Sequence, residues 1–129
     1  MSPLLQRVLH VEDDASIQAV ARVALEIVGG LQVLSCSSGQ EALDQVAAFA
    51  PDFILLDVMM PGMDGPETLS RLGAVVDLTR IPVAFMTAKV QPAEIEHYRS
   101  LGARDVIVKP FDPMQLAAQV KAIWAAAHG

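Results

Sequence analysis

The sequence has a single cysteine, Cys36, among its 129 residues. One cysteine cannot form a disulfide within the chain, which is typical of proteins from a reducing compartment. The sequence also lacks any run of about 18 uncharged apolar residues, so no transmembrane helix is expected. Near the N-terminus, Arg7 and the acids from Glu12 onward come too early for a signal peptide. These absences predict a cytoplasmic protein that is not associated with a membrane.

Basic and aromatic residues are also scarce. Nine Lys and Arg residues face 15 Asp and Glu residues, giving a formal net charge of -6, and aromatic residues make up only 5%. Because nucleic acid attracts basic proteins through its phosphates, direct binding to DNA or RNA is not expected. In contrast, hydrophobic residues make up 53% of the chain, which suits one domain with a buried core. We expect a single domain over residues 1–129, with its core at about 7–126 and no output domain.

Five short apolar runs predict the strands. Each run is rich in Val, Ile or Leu and nearly continuous, which is the pattern of strands buried on both faces of a parallel sheet. The runs are residues 7–11, 31–35, 53–56, 81–86 and 106–108.

The segments between these runs predict five helices. Apolar residues recur at helical spacing over residues 14–28, and two glycines end that helix. Ser38 and Glu41 predict a capping box for a second helix that ends at Phe49. Proline in the first turn marks the other three helices, which are predicted to begin at residues 64–65, 91–92 (ending at Gly102) and 112–113. The βα alternation predicts a doubly wound α/β sandwich, and only the tail after Trp124 is expected to be loosely held.

Polar residues follow four of the five predicted strands. Because ligands bind beyond the carboxyl ends of strands in open α/β sheets, these residues are candidates for a site. Each one alone has an ordinary explanation, such as a helix N-cap, a turn residue or a surface charge. Their joint placement nevertheless favours a common site, and if strand 1 lies beside strand 3 the acids converge. The candidates are Glu12, Asp13, Asp14, Asp57, Thr87 and Lys109.

The chemistry of such a cluster is restricted. Neighbouring carboxylates repel one another unless a cation lies between them, and their hard oxygens favour Mg²⁺. A carboxylate beside bound Mg²⁺ can act as a nucleophile toward phosphorus. Lys109 would then pair with one phosphoryl oxygen, and the Thr87 hydroxyl would hydrogen-bond another. We therefore predict a phosphorylation switch with Asp57 as the acceptor, because an acyl phosphate adds charge that can bias a two-state surface.

Four motifs resemble those of the response-regulator receiver domains of two-component signalling. Residues 55–65 (LLDVMMPGMDG) resemble the phosphoacceptor loop of that family almost letter for letter. Residues 11–14, 85–88 and 108–111 resemble its acidic motif, its switch threonine and its lysine–proline motif. The resemblance covers about residues 7–126 in the same order and spacing, and segment lengths most resemble the stand-alone chemotaxis-type regulators. It implies a flavodoxin-like three-layer sandwich with a five-stranded parallel sheet, order 2-1-3-4-5, and five helices.

The resemblance also implies roles for these residues. Asp57 would accept a phosphoryl group from a phosphohistidine on a sensor histidine kinase or a histidine phosphotransfer protein. Glu12, Asp13 and Asp57 would bind Mg²⁺ together with the backbone carbonyl of Met59, and the bond between Lys109 and its following proline would be cis. The domain would not be an enzyme, beyond supporting its own phosphorylation and dephosphorylation.

Output would pass through protein contacts made by helix 4, strand 5 and helix 5. The downstream effector is unknown, and the chain would be a monomer or a weak homodimer through the same elements. Tyr98 and Trp124 are candidate contacts, although Trp124 also fits the end of the core, and His10 is predicted to be a core histidine.

Three positions bear on how the switch works: one departs from the family pattern, and two lie where residues affect dephosphorylation. Val106 stands where the family often has Tyr or Phe, three residues before the lysine, so the aromatic part of the switch is in question. Met59, two residues after Asp57, cannot offer a side-chain hydrogen bond to an attacking water. Lys89, two residues after Thr87, is placed to reach over the site. Family behaviour implies that these last two positions tune dephosphorylation.

Two other functions stay open from the sequence. A Mg²⁺-dependent aspartyl phosphatase of the haloacid dehalogenase type would need a second acid where Met59 stands. An interaction module independent of phosphorylation would keep the fold; Val106 favours it, whereas the acids and Lys109 oppose it. Nucleotide-binding loops of the Gly-x-x-x-x-Gly-Lys or Gly-x-Gly-x-x-Gly type do not follow any predicted strand.

Overall fold

The computed structural model describes residues 4–88 and 90–128. Within these ranges five strands alternate with five helices, and a short π-helical turn continues the first helix. The elements are β1 (Arg7–Val11), α1 (Ala15–Val23) with its π turn (Ala24–Val28), β2 (Gln32–Cys36), α2 (Gly39–Phe49), β3 (Phe53–Asp57), α3 (Gly65–Leu72), β4 (Val83–Thr87), α4 (Pro92–Ser100), β5 (Asp105–Val108) and α5 (Leu116–His128).

The five strands form one parallel sheet in the order β2-β1-β3-β4-β5, as predicted. In this order β1 lies beside β3, so the residues that follow β1 meet the end of β3 at the carboxyl edge of the sheet. The register pairs Asp57 with Met86 and Thr87 with Val108. The last residues of β3 and β4 therefore stand one strand apart at that edge.

Both faces of the sheet are covered, which explains the near-continuous apolar runs. On one face, Val8, Leu55 and Met86 pack with residues of α1 and α5. On the other face, Leu9, Leu56 and neighbouring strand residues pack with residues of α2 and α3. All residues of β3 and β4 are buried, so the doubly wound three-layer sandwich is confirmed.

The first helix does not keep a regular α-helical pitch to its end. Its last five residues form a π turn, which closes with bonds from the Gly29 and Gly30 N–H groups to the carbonyls of Ala24 and Glu26. The turn brings Gly29 against α5: an added Cβ there would lie 2.7 Å from the Ala117 Cβ. The expectation of an uninterrupted α-helix over residues 14–28 is therefore wrong in its last turn.

The predicted start of α5 is also wrong. Residues 113–115 form a turn rather than helix, and α5 begins at Leu116. Asp112 still caps this segment, because its carboxylate accepts the Met114 N–H at 2.9 Å and its carbonyl accepts the Leu116 N–H at 3.0 Å. The expectation of a loose tail was wrong as well: α5 continues to His128, whose ring stacks on Trp124 at 4.2 Å between centroids.

Smaller differences concern element ends. β2 begins and ends one residue later than predicted, β3 ends one residue later, at Asp57, and α4 ends at Ser100, before Gly102. Such shifts of one or two residues leave every side chain on its predicted face. Within residues 4–88 and 90–128, no helix has the length and apolarity needed to cross a membrane.

Candidate functional site

The carboxyl edge of the sheet gathers the candidate residues from four strand ends. Glu12 follows β1, Asp57 and Thr87 end β3 and β4, and Lys109 follows β5. Glu12, Asp57 and Thr87 are only 1%, 3% and 5% exposed. Polar side chains buried to this degree at one edge are expected to form hydrogen bonds or ion pairs with one another or with a ligand.

Three carboxylates form the acidic part of the site. Glu12, Asp13 and Asp57 each offer an oxygen, and these oxygens lie within 4.8 Å of one another. The backbone fixes Glu12, since its N–H donates to the Cys36 carbonyl at 2.9 Å and so extends the β1–β2 ladder. Asp13 is exposed and gives access from solvent. A set of carboxylates with an open side suits a hard divalent cation such as Mg²⁺.

Lys109 bridges the two buried acids. Its Nζ lies 2.8 Å from Glu12 Oε1 and 3.0 Å from Asp57 Oδ1. The Lys109 N–H also donates to the Thr87 carbonyl at 2.9 Å, which aligns the end of β5 with the end of β4. The bond to Pro110 is cis, as the resemblance implied. The Lys109 side chain thus reaches across β4 and β3 to the acids.

The electrostatics show that the acids are only partly compensated. The pKa of the Glu12 carboxyl is raised to about 6, chiefly because the group is buried; the hydrogen bond from Lys109 opposes this rise and the Asp57 charge adds to it. Burial lowers the pKa of the Lys109 ammonium, but the bonds to Glu12 and Asp57 outweigh burial, so that its pKa is raised overall. The cluster therefore favours bound cations, because one ammonium serves two buried carboxylates beside a third.

Other predicted residues lie around this cluster without joining it. Asp14 caps α1, since its Oδ1 accepts the N–H groups of Ser16 and Ile17 at 2.8 and 3.1 Å. Met59 is 78% exposed in the loop after β3, and the part played by its carbonyl stays a prediction. Lys89 lies outside the described residues.

Two residues that support the site were missed in the sequence. Gly65 begins α3, and an added Cβ there would lie 2.4 Å from the Asp57 carbonyl oxygen and 2.8 Å from the Val58 Cα. Gln18 of α1 donates from its amide to the Glu12 carbonyl at 3.0 Å. The sequence marked Gly65 only as a helix start, and a glutamine on an amphipathic helix gives no signal of such a contact.

His10 lies directly beneath the cluster. It is 0% exposed and occupies the same face of β1 as Glu12, two residues earlier, as the predicted core histidine. Burial, with a smaller contribution from the Lys109 charge, lowers the pKa of its imidazole to about 4. The ring is therefore neutral at pH 7, and neither of its nitrogens has a hydrogen-bond partner among the described residues.

Comparison with known proteins agrees with this arrangement. Residues 8–121 match the family described as response regulator receiver domain. The chain superposes on the Vibrio cholerae chemotaxis protein CheY4 with a TM-score of 0.85 and 28% identity, covering 93% of this chain and 99% of that one. It also superposes on the Francisella response regulator 1452 receiver domain with a TM-score of 0.82 and 26% identity, over 94% of this chain and 98% of that one.

Among curated sequences, the DNA-binding response regulator MtrA of Mycobacterium tuberculosis is 35% identical over 122 residues, which is 95% of this chain. The match covers 52% of MtrA, so the chain spans about half the length of the curated relatives it matches. The family match covers most of the chain and agrees with the strand order and with the residues at the carboxyl edge. The chain therefore belongs to the response regulator receiver domains, which histidine kinases phosphorylate in two-component signalling.

Proposed function

We propose that Asp57 is the phosphoryl acceptor of this receiver domain. The observation that carries the proposal is the meeting of three carboxylates and one ammonium group at the end of a central strand. Asp57 is buried, ends β3, and lies 3.0 Å from the Lys109 Nζ. In the reaction, an Asp57 carboxylate oxygen bonds to phosphorus while the phosphorus–nitrogen bond of the donor phosphohistidine breaks. The nitrogen keeps the electron pair of that bond, and a proton on the other ring nitrogen lets the donor leave as neutral imidazole.

The acids around Asp57 fit a role in binding Mg²⁺. The carboxylates of Glu12, Asp13 and Asp57, with the Met59 carbonyl, would hold the ion through oxygen ligands. Bound Mg²⁺ supplies charge neutralisation for the transferring phosphoryl group. The chain's own residues do the rest: β1 and β3 orient the carboxylates, and burial keeps bulk water from Asp57.

Lys109 and Thr87 are proposed to hold the transferred group. The Lys109 Nζ already reaches an Asp57 oxygen, so a phosphoryl oxygen bonded to Asp57 comes within its reach. Thr87 ends β4, one strand away from Asp57, and is 5% exposed, so it lies at the same edge of the sheet. The Lys109 contact and the position of Thr87 support the assignment of both as residues that sense the phosphoryl group.

A groove beside the site suits docking of the phosphoryl donor. It measures about 510 Å³ and lies between the first turns of α1 and the loop after β5, with Lys109 in its wall. The other lining side chains are mostly apolar and include Ile17, Val20 and Phe111. A sensor kinase or phosphotransfer protein has to bring its phosphohistidine to Asp57, and an apolar helix face in this groove would place it there. Exchange with such a donor would occur in the cytoplasm.

The output side differs from the family pattern at Val106. Phe85 pairs with Val106 across β4 and β5 and lies two residues before Thr87, on the same face of the sheet. The ring of Tyr98 packs on Phe85 at 5.1 Å between centroids. Tyr98 from α4 thus supplies an aromatic ring where Val106 supplies none.

α4 is suited to move in response. None of its residues is buried, and the half-buried Tyr98 is among the few that anchor it to the sheet. An effector protein, or weakly a second copy, would bind the surface of α4, β5 and α5. MtrA is described as DNA-binding, but the charge of -6 opposes such a role for the domain described above. The proposed functional unit is the receiver domain, with its core at about residues 7–126.

Labelling with a phosphoryl donor tests the assignment. Acetyl phosphate or beryllofluoride with Mg²⁺ should modify the wild-type chain and spare Asp57→Asn. Asp44→Asn is the matched control, because Asp44 is exposed on α2, where its carboxylate accepts a hydrogen bond from the Gln40 amide. Equal modification of the wild type and Asp57→Asn would refute the assignment, and equal partner binding by labelled and free forms would favour a phosphorylation-independent module.

A further inference from the structure

A second cavity lies at the opposite edge of the sheet from Asp57. It measures about 460 Å³ and is formed by residues just before β3, β4 and β5 together with the last turns of α5. We call it the basal pocket; its wall includes Pro51, Arg80, Pro82, Arg104 and Trp124. Pockets of about 300 to 1,000 Å³ are typical of small-molecule sites.

The basal pocket contains two arginines that form no ion pair with the described residues. Arg80 and Arg104 form no ion pair or side-chain hydrogen bond with the residues that the structure describes. Other exposed arginines do: Arg22 pairs with Glu26 at 2.6 Å, and Arg71 with Glu67 at 3.0 Å. The chain has a net charge of -6, yet no Asp or Glu side chain among the described residues lies within ion-pair distance of these two guanidinium groups.

The acid in the pocket wall is already engaged. Asp52 Oδ2 accepts the backbone N–H groups of Gln6 and Arg7, both at 2.9 Å, which ties the N-terminal segment to the start of β3. Asp77 lies close enough to feel the Arg80 charge, which lowers the Asp77 pKa, but hydrogen bonds from Thr79 lower it more and engage the carboxylate. Neither carboxylate therefore accepts a hydrogen bond from the Arg80 or Arg104 guanidinium group.

Two stacked aromatic rings form another part of the wall. Trp124 is half-buried there, and the exposed His128 ring stacks on it at 4.2 Å between centroids, whereas both prolines are buried. A guanidinium group can donate two parallel hydrogen bonds to a phosphate, and the open face of an aromatic ring can stack on another flat ring. The wall thus combines donors for phosphate with an aromatic pair that a flat ring can extend.

We propose that the basal pocket binds a small molecule with a phosphate chain and a planar ring, as in a nucleoside diphosphate. Arg80 and Arg104 would hold the phosphates, and the aromatic pair of Trp124 and His128 would hold the ring. The site is distinct from the acidic cluster, because it lies at the amino ends of the strands whose carboxyl ends carry that cluster. A ligand bound there contacts the segments that lead directly into β3, β4 and β5.

Titration with ADP, pyrophosphate and adenosine tests the proposal. The full chain is titrated in a buffer that contains a chelator, so that no divalent cation at the acidic cluster can bind the phosphates of the ligand. Calorimetry should show one saturable ADP site, with pyrophosphate and adenosine each binding at least about tenfold more weakly. Trp124 is the only tryptophan, so its fluorescence should change over the same ADP range. Replacing both pocket arginines, Arg80→Gln with Arg104→Gln, should weaken ADP binding by about tenfold or more.

The control makes the same change of charge elsewhere, as Arg22→Gln with Arg71→Gln, and should bind ADP like the wild type. Both double variants should retain the wild-type circular dichroism, because all four side chains are exposed. Absence of saturable ADP binding, or equal weakening in both double variants, would overturn the proposal. Loss of ADP binding in Asp57→Asn would also overturn it, by placing the nucleotide at the acidic cluster. Beryllofluoride labelling of the pocket variants reports on Asp57 separately.

Discussion

Substitution of Gly65 by alanine offers a direct test of how the phosphoacceptor strand is held. Gly65 opens α3 with its backbone against β3, and an added Cβ would lie 2.4 Å from the Asp57 carbonyl oxygen. Contacts of a Cβ with backbone atoms below 3.0 Å are essentially never seen, so either α3 or the end of β3 must move. The obstacle is backbone, which cannot turn aside as a flexible side chain can.

The expected cost follows from two opposing effects. Overpacking of a well-filled region costs about 1 to 3 kcal/mol. Replacing glycine by alanine in a helix returns about 0.4 to 1 kcal/mol by restricting the unfolded chain. We expect Gly65→Ala to lower the free energy of unfolding by about 1 to 2 kcal/mol. The displaced Asp57 should also be labelled more slowly by acetyl phosphate.

Gly73 at the other end of α3 provides the matched control. An added Cβ there would meet its nearest atom, the Ser70 carbonyl oxygen, at 3.4 Å, which is ordinary contact, and Gly73 has a φ of -62°, which suits alanine. Gly73→Ala should therefore be neutral or stabilising by up to about 1 kcal/mol, with normal labelling. Urea unfolding in a buffer that contains a chelator measures the free energy of unfolding of both variants. If Gly65→Ala unfolds at the same urea concentration as Gly73→Ala and labels at the wild-type rate, the contact with Asp57 does not constrain the strand.

Two further predictions concern His10 and Tyr98. The imidazole pKa of His10 falls from 6.5 to about 4 on folding. The stability that depends on the neutral ring is therefore complete above pH 6.5 and is lost as pH falls through 4. His10→Leu should remove about 3 kcal/mol of this acid sensitivity. Urea titrations from pH 4 to 8 measure it, and a constant difference between wild type and variant across that range would contradict the buried, neutral ring. Tyr98→Ala removes the ring that packs on Phe85, so labelling of the acceptor should stay normal while the label-dependent change in hydrogen exchange of α4 is lost. An unchanged exchange response in this variant would show that α4 receives the signal without Tyr98.

The residues of the acidic site could be predicted from the sequence because each one stands at the end of a strand or just after it. A buried parallel strand is a run of apolar residues, and the first polar residue after it marks the edge, as Asp57 does after residues 53–56. The strand order came from the family resemblance, since five similar apolar runs do not by themselves show which strands are neighbours. The N-cap role of Asp14 was also readable, because it depends on local geometry.

What the sequence did not reveal depends on contacts between distant segments. The π turn places Gly29 against Ala117, a residue far along the chain, and helical periodicity carries no record of that contact. The stack of His128 on Trp124 likewise turns an apparently loose tail into the end of α5. The start of α5 was missed for a local reason: Asp112 caps a turn of three residues before the helix begins, and the same Asp–Pro pair also fits a cap followed directly by helix.

The two edges of the sheet differ in charge, so the charge distribution of the domain is asymmetric along the strand direction. Acids cluster where the strands end, whereas two arginines without an ion pair among the described residues lie where β4 and β5 begin. A positively charged partner would therefore meet the acceptor edge first, since long-range fields orient proteins before they touch. This orientation weakens at higher ionic strength, as the screening length falls to about 8 Å at physiological salt. The rate at which a phosphoryl donor finds the acceptor edge should accordingly depend on salt more strongly than the strength of the complex does.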